Sequence, residues 1–285
     1  MVTDESGCLY VVATPIGNLD DFSPRAVATL RAVDVIAAED TRHTRRLAER
    51  FGIDTPMLAL HEHNEREALA GVLARLRAGA SVALVSDAGT PLISDPGYVL
   101  VRECRREGLP VACVPGPTAL IAALSVSGLP TDRFRFEGFL PRKREARRAL
   151  LEGLARETAT LAFYESSHRV EEALVDLAAV FGPDRPGVLA RELTKLHETV
   201  LSLPLGELTE VVRTDPDQRK GEFVLLVAGA PEAPSEDVEL EWVLGILLED
   251  LPVKQAATLA ARLTGTKRNA AYQRALELKN AVPRS

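Results

Sequence analysis

The strongest constraint on this chain is an alternation of short apolar runs with longer amphipathic stretches. Residues 8–13, 33–38, 82–86 and 111–114 carry few polar side chains and read as buried strands. Between two of them, the stretch 66–78 sets Leu69, Val72, Leu73 and Leu76 at i, i+3, i+4 and i+7, the spacing of one helix face. Strand and helix in alternation predict an α/β domain with a largely parallel sheet, ending near residue 125. Further strands are expected at 134–139, 160–164, 187–190 and 222–228. The stretch 170–181 puts Val170, Ala173, Leu174, Leu177 and Phe181 on one helical face. A second α/β domain is therefore expected over 126–230, and 285 residues are enough for both.

Apolar residues make up 46% of the chain but aromatics only 5%, so the core has to be Leu, Val, Ile and Ala. The net charge of −7 argues against wholesale coating of nucleic acid. It leaves room for local basic patches, because binding responds to the nearby field. Arg42, Arg45, Arg46 and Arg50 form one such run. Arg142, Lys143, Arg144, Arg147 and Arg148, against a single Glu145, form another. Either run is equally what a solvated helix face looks like. Cys8, Cys104 and Cys113 have no metal-type spacing and follow no secretory signal, so reduced thiols in a cytoplasmic protein are expected. No apolar run approaches the ~20 residues that span a bilayer.

Composition changes abruptly after residue 229. The stretch 230–239 has two prolines and many carboxylates and reads as a linker. From Pro231 to Asp250 there are seven acidic residues and no basic one; from Lys254 to Arg284 there are seven basic and one acidic. Residues 255–263 place Ala256, Leu259, Ala260 and Leu263 on one face, Thr264-Gly265-Thr266 interrupts, and 267–279 can form a second helix. Two helices joined by a glycine turn resemble a helix-turn-helix. The region 231–285 is thus expected to be a linker plus a small helical appendage. Contact with RNA and a plain hairpin with a solvated basic face are both open.

Chemistry is expected in the loops after the strands, because ligands of open α/β sheets bind outside the strands' carboxyl ends. The first loop, ATPIGNL from Ala13, has a tight Pro15-Ile16-Gly17 turn but no GxGxxG, so a dinucleotide fingerprint is absent. The second loop concentrates Glu39, Asp40, Arg42 and His43, and Asp40 could cap the helix expected at 44–51. The third runs from Ser86 through Asp87-Ala88-Gly89-Thr90-Pro91-Leu92-Ile93-Ser94-Asp95-Pro96-Gly97. Eleven residues this rich in Asp, Gly and Pro are uncommon as a plain connection and suit a ligand held by main chain. The fourth, Pro115-Gly116-Pro117-Thr118-Ala119, also starts a helix well. In the second half, 160–164 opens onto Glu165-Ser166-Ser167-His168-Arg169. No GxxxxGK[ST] occurs, which disfavours a phosphate-loop NTPase.

Taken together, ATPIGNLDD (13–21), AAEDTRHTRRL (37–47), VSDAGTPLISDPG (85–97), VPGPTAL (114–120), GFLPRK (138–143), FYESSHR (163–169), RELTKLHE (191–198) and KGEFVLLVAG (220–229) resemble the tetrapyrrole methylase superfamily. Within it they are most similar to the ribosomal RNA small subunit methyltransferase I family, whose small helical extension the segment 240–279 also resembles. The resemblance implies two α/β domains with S-adenosylmethionine in the cleft between them, often in a homodimer. It implies 2′-O-methylation of a cytidine in the decoding region of 16S rRNA. Carried over residue by residue, cofactor contacts fall on Pro15, Ser86, Asp87, Ala88, Ile93, Thr118, Ala119, Tyr164 and Glu165. The loop after 187–190 and residues 221–223 are weaker candidates.

Transfer of a methyl group to a hydroxyl needs an acceptor for the hydroxyl's proton. Glu39 or Asp40 is expected in that role, with His43 and His168 as alternatives and Arg42 or Arg169 orienting a phosphate. Charge reversal at Arg144 and Arg147 is expected to weaken RNA binding. The closest rivals act on a tetrapyrrole or on a modified protein side chain, as diphthine synthase does. A rival of another class is a non-catalytic RNA-binding protein that kept the fold.

Overall fold

The computed structural model describes residues 7–61, 64–231 and 236–281. They form two compact units, one up to Gly229 and one from Ala230.

In the first unit the chain runs β1 (Leu9–Val12), α1 (Pro24–Ala32), β2 (Val35–Ala38), α2 (Thr41–Arg50), β3 (Met57–Ala59), α3 (Glu65–Arg77), β4 (Val82–Val85), α4 (Tyr98–Arg106), β5 (Val111–Val114) and α5 (Ala119–Ser127). The five strands make one sheet in the order β3-β2-β4-β1-β5, parallel throughout. Side chains alternate between its faces, as the pleat requires. Leu9, Val35, Ala37, Val82 and Leu84 pack on Val72, Leu76 and Leu100 of α3 and α4. Val12, Ile36, Ala38, Ala83 and Val85 pack on Ala26, Leu30 and Ala48 of α1 and α2. Ser23 starts α1 by accepting the Ala26 amide at 3.0 Å, with Pro24 at the first helical position.

The unit continues with β6 (Phe134–Phe139), α6 (Arg144–Leu154), β7 (Thr160–Ser166), α7 (Val170–Phe181), β8 (Pro186–Arg191), β9 (Thr199–Pro204), α8 (Leu205–Thr214) and β10 (Glu222–Val227). These strands form a second sheet, β6-β7-β10-β8-β9, in which only β6 and β7 run parallel. One face carries Leu161, Phe163, Leu189, Leu225 and Val227 against α6, α7 and α8. The other carries Ala162, Val188, Ala190, Val224 and Leu226, and it is α5 that covers them through Leu120, Ala123 and Leu124. The division expected at 125/126 therefore falls inside a helix that follows the first sheet and packs on the second.

The strands read from the sequence are all present, and β3 and β9 are additional. Among the described residues the second unit holds three helices rather than two: α9 (Glu236–Asp250), α10 (Val253–Thr264) and α11 (Arg268–Ala281). The expected linker gives way to helix at Glu236. Leu240 and Leu244, one turn apart, join Ala256, Ala257, Ala260, Ala271 and Ala275 in a small core. Gly265, at φ 75°, ends α10 in the left-handed conformation that favours glycine. Among the described residues no helix is long and apolar enough to cross a membrane.

Candidate active site

In a parallel sheet every strand delivers its carboxyl end to the same edge. The loops after β1, β2, β4 and β5 meet there and are hydrogen-bonded to one another. Thr14 and Gly89 exchange backbone bonds (2.8 and 3.1 Å) as an isolated antiparallel bridge. The Asp87 amide donates to Glu39 Oε2 (3.2 Å), and the Asp40 amide donates to Asp87 Oδ1 (3.0 Å). Thr90 Oγ1 donates to the Pro117 carbonyl (3.0 Å). Two contacts extend this network to the second sheet. The Leu120 amide donates to the Tyr164 hydroxyl (3.2 Å), and the Asn18 amide donates to Thr194 Oγ1 (3.0 Å).

The loops surround a cavity of about 460 Å³ between the two sheets, within the range of small-molecule sites. Five carboxylates line it: Glu39, Asp87, Asp95, Glu165 and Glu222. Lys195 is the single cationic side chain among the described residues of its wall. Backbone strain collects here too. Leu92 (φ 74°) and Ser94 (φ 67°) on one side, and Glu192 (φ 51°) and Thr194 (φ 68°) on the other, are non-glycine residues in the left-handed region. Each such residue costs about 1–3 kcal/mol and persists only where its surroundings hold it.

Of the expected cofactor residues, Asp87, Ala88, Ile93, Thr118, Ala119, Tyr164 and Glu165 line the cavity. Pro15 and Ser86 stand behind the wall: both are buried, and Thr14 Oγ1 donates to the Ser86 carbonyl at 3.3 Å. Tyr164 packs edge-on against Phe136 and Phe139, and burial raises its phenol above the ordinary value.

The expected catalytic set is only partly brought together. Glu39 lines the cavity. Asp40 is instead the N-cap of α2, accepting the Arg42 amide at 2.8 Å and pairing with the Arg42 guanidinium at 2.9 Å. Those bonds hold its carboxyl well below the usual carboxylate range, which makes it a poor proton acceptor. Arg42, with 89% of its side chain exposed, and His43 lie on the outer first turn of a helix that begins three residues earlier than expected. Arg169 is consumed internally. It pairs with Glu165 (2.7 Å), donates to the Leu140 carbonyl (2.9 Å) and reaches Ser166 Oγ (3.3 Å). His168 lines a separate depression with Arg144 and Arg219.

Residues 8–209 match the profile of the tetrapyrrole (corrin/porphyrin) methylases. The chain belongs to this family. Residues 234–279 match the profile of the RsmI C-terminal HTH domain. The chain is 56% identical over 275 residues to the ribosomal RNA small subunit methyltransferase I of Pseudomonas aeruginosa, covering 95% of this chain and 98% of that protein. It is 52% identical over 276 residues to the protein of the same name from Escherichia coli O157:H7, covering 96% of each. This tetrapyrrole methylase therefore sits in the ribosomal RNA small subunit methyltransferase I branch. Among solved structures, it resembles in fold uroporphyrin-III-C-methyltransferase from Thermus thermophilus (TM-score 0.55, 22% identity, 78% of this chain and 94% of that one). Diphthine synthase is similar in the same way (TM-score 0.57, 17% identity, 78% and 90%). The T. thermophilus enzyme has also been solved with S-adenosylhomocysteine bound.

Three features of this tetrapyrrole methylase depart from the sequence reading. Asp95 belongs to the cavity wall, although only its loop stood out. Lys195 and Glu222, from the β8–β9 loop and the start of β10, also face the cavity, although the loop after 187–190 and residues 221–223 stood only as weaker candidates without a named side chain. Lys195 Nζ bonds Glu192 (2.9 Å) and Glu222 (2.7 Å). Third, the basic run on α6 is not one surface. Arg142, Lys143 and Arg144 are exposed, but Arg147 is only 1% exposed and pairs with the equally buried Asp176 at 2.8 Å. Reversing its charge would unfold the core rather than test an RNA patch.

Proposed function

We propose that the cavity binds S-adenosylmethionine and that the chain transfers its methyl group to the ribose 2′-hydroxyl of a cytidine in the decoding region of 16S rRNA. The observation that carries this reading is the cavity's charge: five carboxylates and one ammonium, in a chain of this family. Such a wall suits a ligand bearing a sulfonium and an ammonium group and repels phosphates, so the cofactor goes in and the RNA backbone stays at the rim. The wall also has acceptor capacity to spare. Glu165 Oε2 is buried with no hydrogen-bond partner among the described residues, and such an atom costs about 1–3 kcal/mol unless a ligand donates to it.

Asp87, Ala88, Ile93, Thr118, Ala119, Tyr164 and Glu165 would hold the cofactor, with Pro15 and Ser86 fixing the loops behind them. Lys195 is suited to the cofactor's carboxylate. When bound, S-adenosylmethionine supplies a methyl group on a sulfonium, ready for in-line displacement. The protein's part is then to position the hydroxyl, exclude water and take a proton. Glu39 keeps the Asp87 loop in place, and Asp40 with Arg42 and His43 form the outer lip on the substrate side. Arg169 acts by orienting Glu165.

Identity above 50% over nearly the full length to proteins named for the small-subunit RNA supports the substrate class. The exposed Arg42, Arg45, Arg46 and Arg50 of α2, and Arg142, Lys143 and Arg144, supply basic surface for RNA within the small subunit. The halves 1–125 and 126–230 would share the work, with α5 serving both, and the unit from 231 would add RNA contacts through its basic helices. The family resemblance supports a homodimer acting in the cytoplasm; light scattering tests the dimer.

The decisive experiment is transfer of labelled methyl from S-adenosylmethionine to small ribosomal subunits from a strain lacking this activity, with mapping of the product. Label on a 16S ribose is expected. No label on subunits or free rRNA, with the cofactor still bound, would redirect the reading to a tetrapyrrole or protein substrate.

A further inference from the structure

Which group takes the hydroxyl's proton follows from the state of the cavity's carboxylates, given the methyl-transfer reading above. Glu165 is paired with Arg169 and Glu222 with Lys195. Glu39 and Asp87 each accept a backbone amide from the neighbouring loop. Asp95 differs from all four. No cation among the described residues lies within ion-pair distance of it; the Ser86 hydroxyl approaches it, and the Glu39 and Asp87 carboxylates face it. Its place is nevertheless tightly fixed. It sits between Ser94, in the left-handed region, and Pro96. The turn that follows is anchored by Glu65 Oε1, which accepts the Gly97 and Val99 amides at 3.1 and 3.2 Å. A strained segment that delivers one unpaired carboxylate to a cavity is what pre-organisation of a reacting group looks like.

We propose that Asp95 is the catalytic carboxylate that accepts the proton of the substrate hydroxyl, and that entry of the cationic cofactor is what ionises it. Burial, with Glu39 and Asp87 facing it from the ends of β2 and β4, pushes the Asp95 carboxyl up to about 7. Tyr164 faces it from β7, and Glu165, Lys195 and Glu222 share the cavity. Three carboxylates this close cannot all ionise at no cost, and a positive charge placed among them removes the cost. In the transfer itself, the hydroxyl's O–H bond breaks and the proton passes to Asp95. The electron pair on the 2′-oxygen forms the bond to the methyl carbon, and the pair of the broken carbon–sulfur bond stays on sulfur as a neutral thioether. Asp95 then returns its proton to solvent as the product leaves.

The test has one arm without RNA. Calorimetry of S-adenosylmethionine binding near pH 7, in buffers of different ionisation enthalpy, should show net proton release from the wild type. Release should be smaller with S-adenosylhomocysteine, which lacks the sulfonium. Asp95→Asn should release no proton and bind about tenfold more weakly, since a group that the cofactor ionises must favour the cofactor in turn. In the second arm, single-turnover methylation of small subunits by Asp95→Asn should fall by about a hundredfold or more and lose the rise of rate with pH seen below 7. Asp95→Glu should keep that rise. Unchanged proton release in Asp95→Asn, a wild-type single-turnover rate, or a rate loss matched by an equal loss of affinity would each overturn the proposal. If the wild type methylates no RNA, the substrate reading fails instead, and the calorimetric arm still decides whether Asp95 is the group the cofactor ionises.

Discussion

The two sheets of the first unit offer the cavity different kinds of edge. The N-terminal sheet is parallel, so each contribution is a loop after a strand: 13–18, 39–43, 86–97 and 115–118. The C-terminal sheet is mostly antiparallel, and one edge collects strand ends of both senses. Tyr164–Ser166 end β7 and Ala190 nearly ends β8, but Glu222–Val224 begin β10, paired in register with Ser166–Tyr164. The rule that ligands lie beyond carboxyl ends thus finds all of one wall and only part of the other. The cores differ as well. The clusters flanking the first sheet are apolar, whereas the second half buries the Arg147–Asp176 pair beside α7.

The largest effect should come from breaking that pair. Arg147→Met is expected to cost about 3 kcal/mol in urea unfolding, because it removes the buried partner of Asp176 and leaves that buried carboxylate the exposed Arg144 guanidinium at 3.1 Å. Arg147→Met with Asp176→Leu should recover most of the loss. A single-variant cost below about 1 kcal/mol would mean that the two halves are held together alike.

Next comes Gly221, before β10. It sits at φ 96°, and a Cβ there would lie 2.4 Å from the Glu192 carboxylate. Gly221→Ala should cost about 1–3 kcal/mol and weaken cofactor binding at least tenfold by displacing Glu192 and Lys195. Gly71→Ala, inside α3 with open space around it, should instead gain about 0.5–1 kcal/mol. Similar outcomes at the two sites would contradict the close packing assigned to the second wall.

Asp95 sharpens the comparison from the first wall. Its folded-state carboxyl is raised to about 7, against about 3.9 unfolded. Its contribution to stability is therefore intact below pH ~4 and lost as the pH rises through 7. Asp95→Asn should be more stable than wild type at pH 8 by about 1–2 kcal/mol, allowing for the open side of the cavity, and equal to it below pH ~4. Thermal melts across that range would show the two converging; a constant gap would refute the assignment.

The smallest effects on the fold belong to α2. Arg45→Glu and Arg46→Glu should leave stability within about 0.5 kcal/mol. They should lower affinity for small subunits several-fold and flatten its salt dependence. Binding that is unaffected across a salt series would remove α2 from the RNA surface.

Much of this was legible because local rules and tertiary packing agree. The buried strands β1, β2 and β4 are nearly uniform apolar runs, and the loops beyond them concentrate Asp, Gly and Pro. The edge strand β3 is three residues long and half exposed, so it leaves no periodic trace. Helix α9 was hidden by its carboxylates, although Leu240 and Leu244 lie one turn apart. Arg147 had a readable signal. With Leu151 and Leu154 it falls at i, i+4 and i+7, on the buried stripe of α6. A count of positive charges overlooked that stripe. Lys195 and Glu222 lie in the two segments that only the family resemblance marked, as weaker candidates, because nothing local says that a hairpin loop and a strand start share one edge with a strand end.

The Thr14–Gly89 bridge has a consequence for how such enzymes can be recombined. Surface loops can usually be grafted one at a time, since each answers only to its own two strands. Here two segments some seventy residues apart form a two-rung ladder, and the later one is also bonded to Pro117. A chimera that imports the 86–97 segment alone would inherit a partner cut for another spacing. The segments around 14, 89 and 117 should be exchangeable between relatives only as a set.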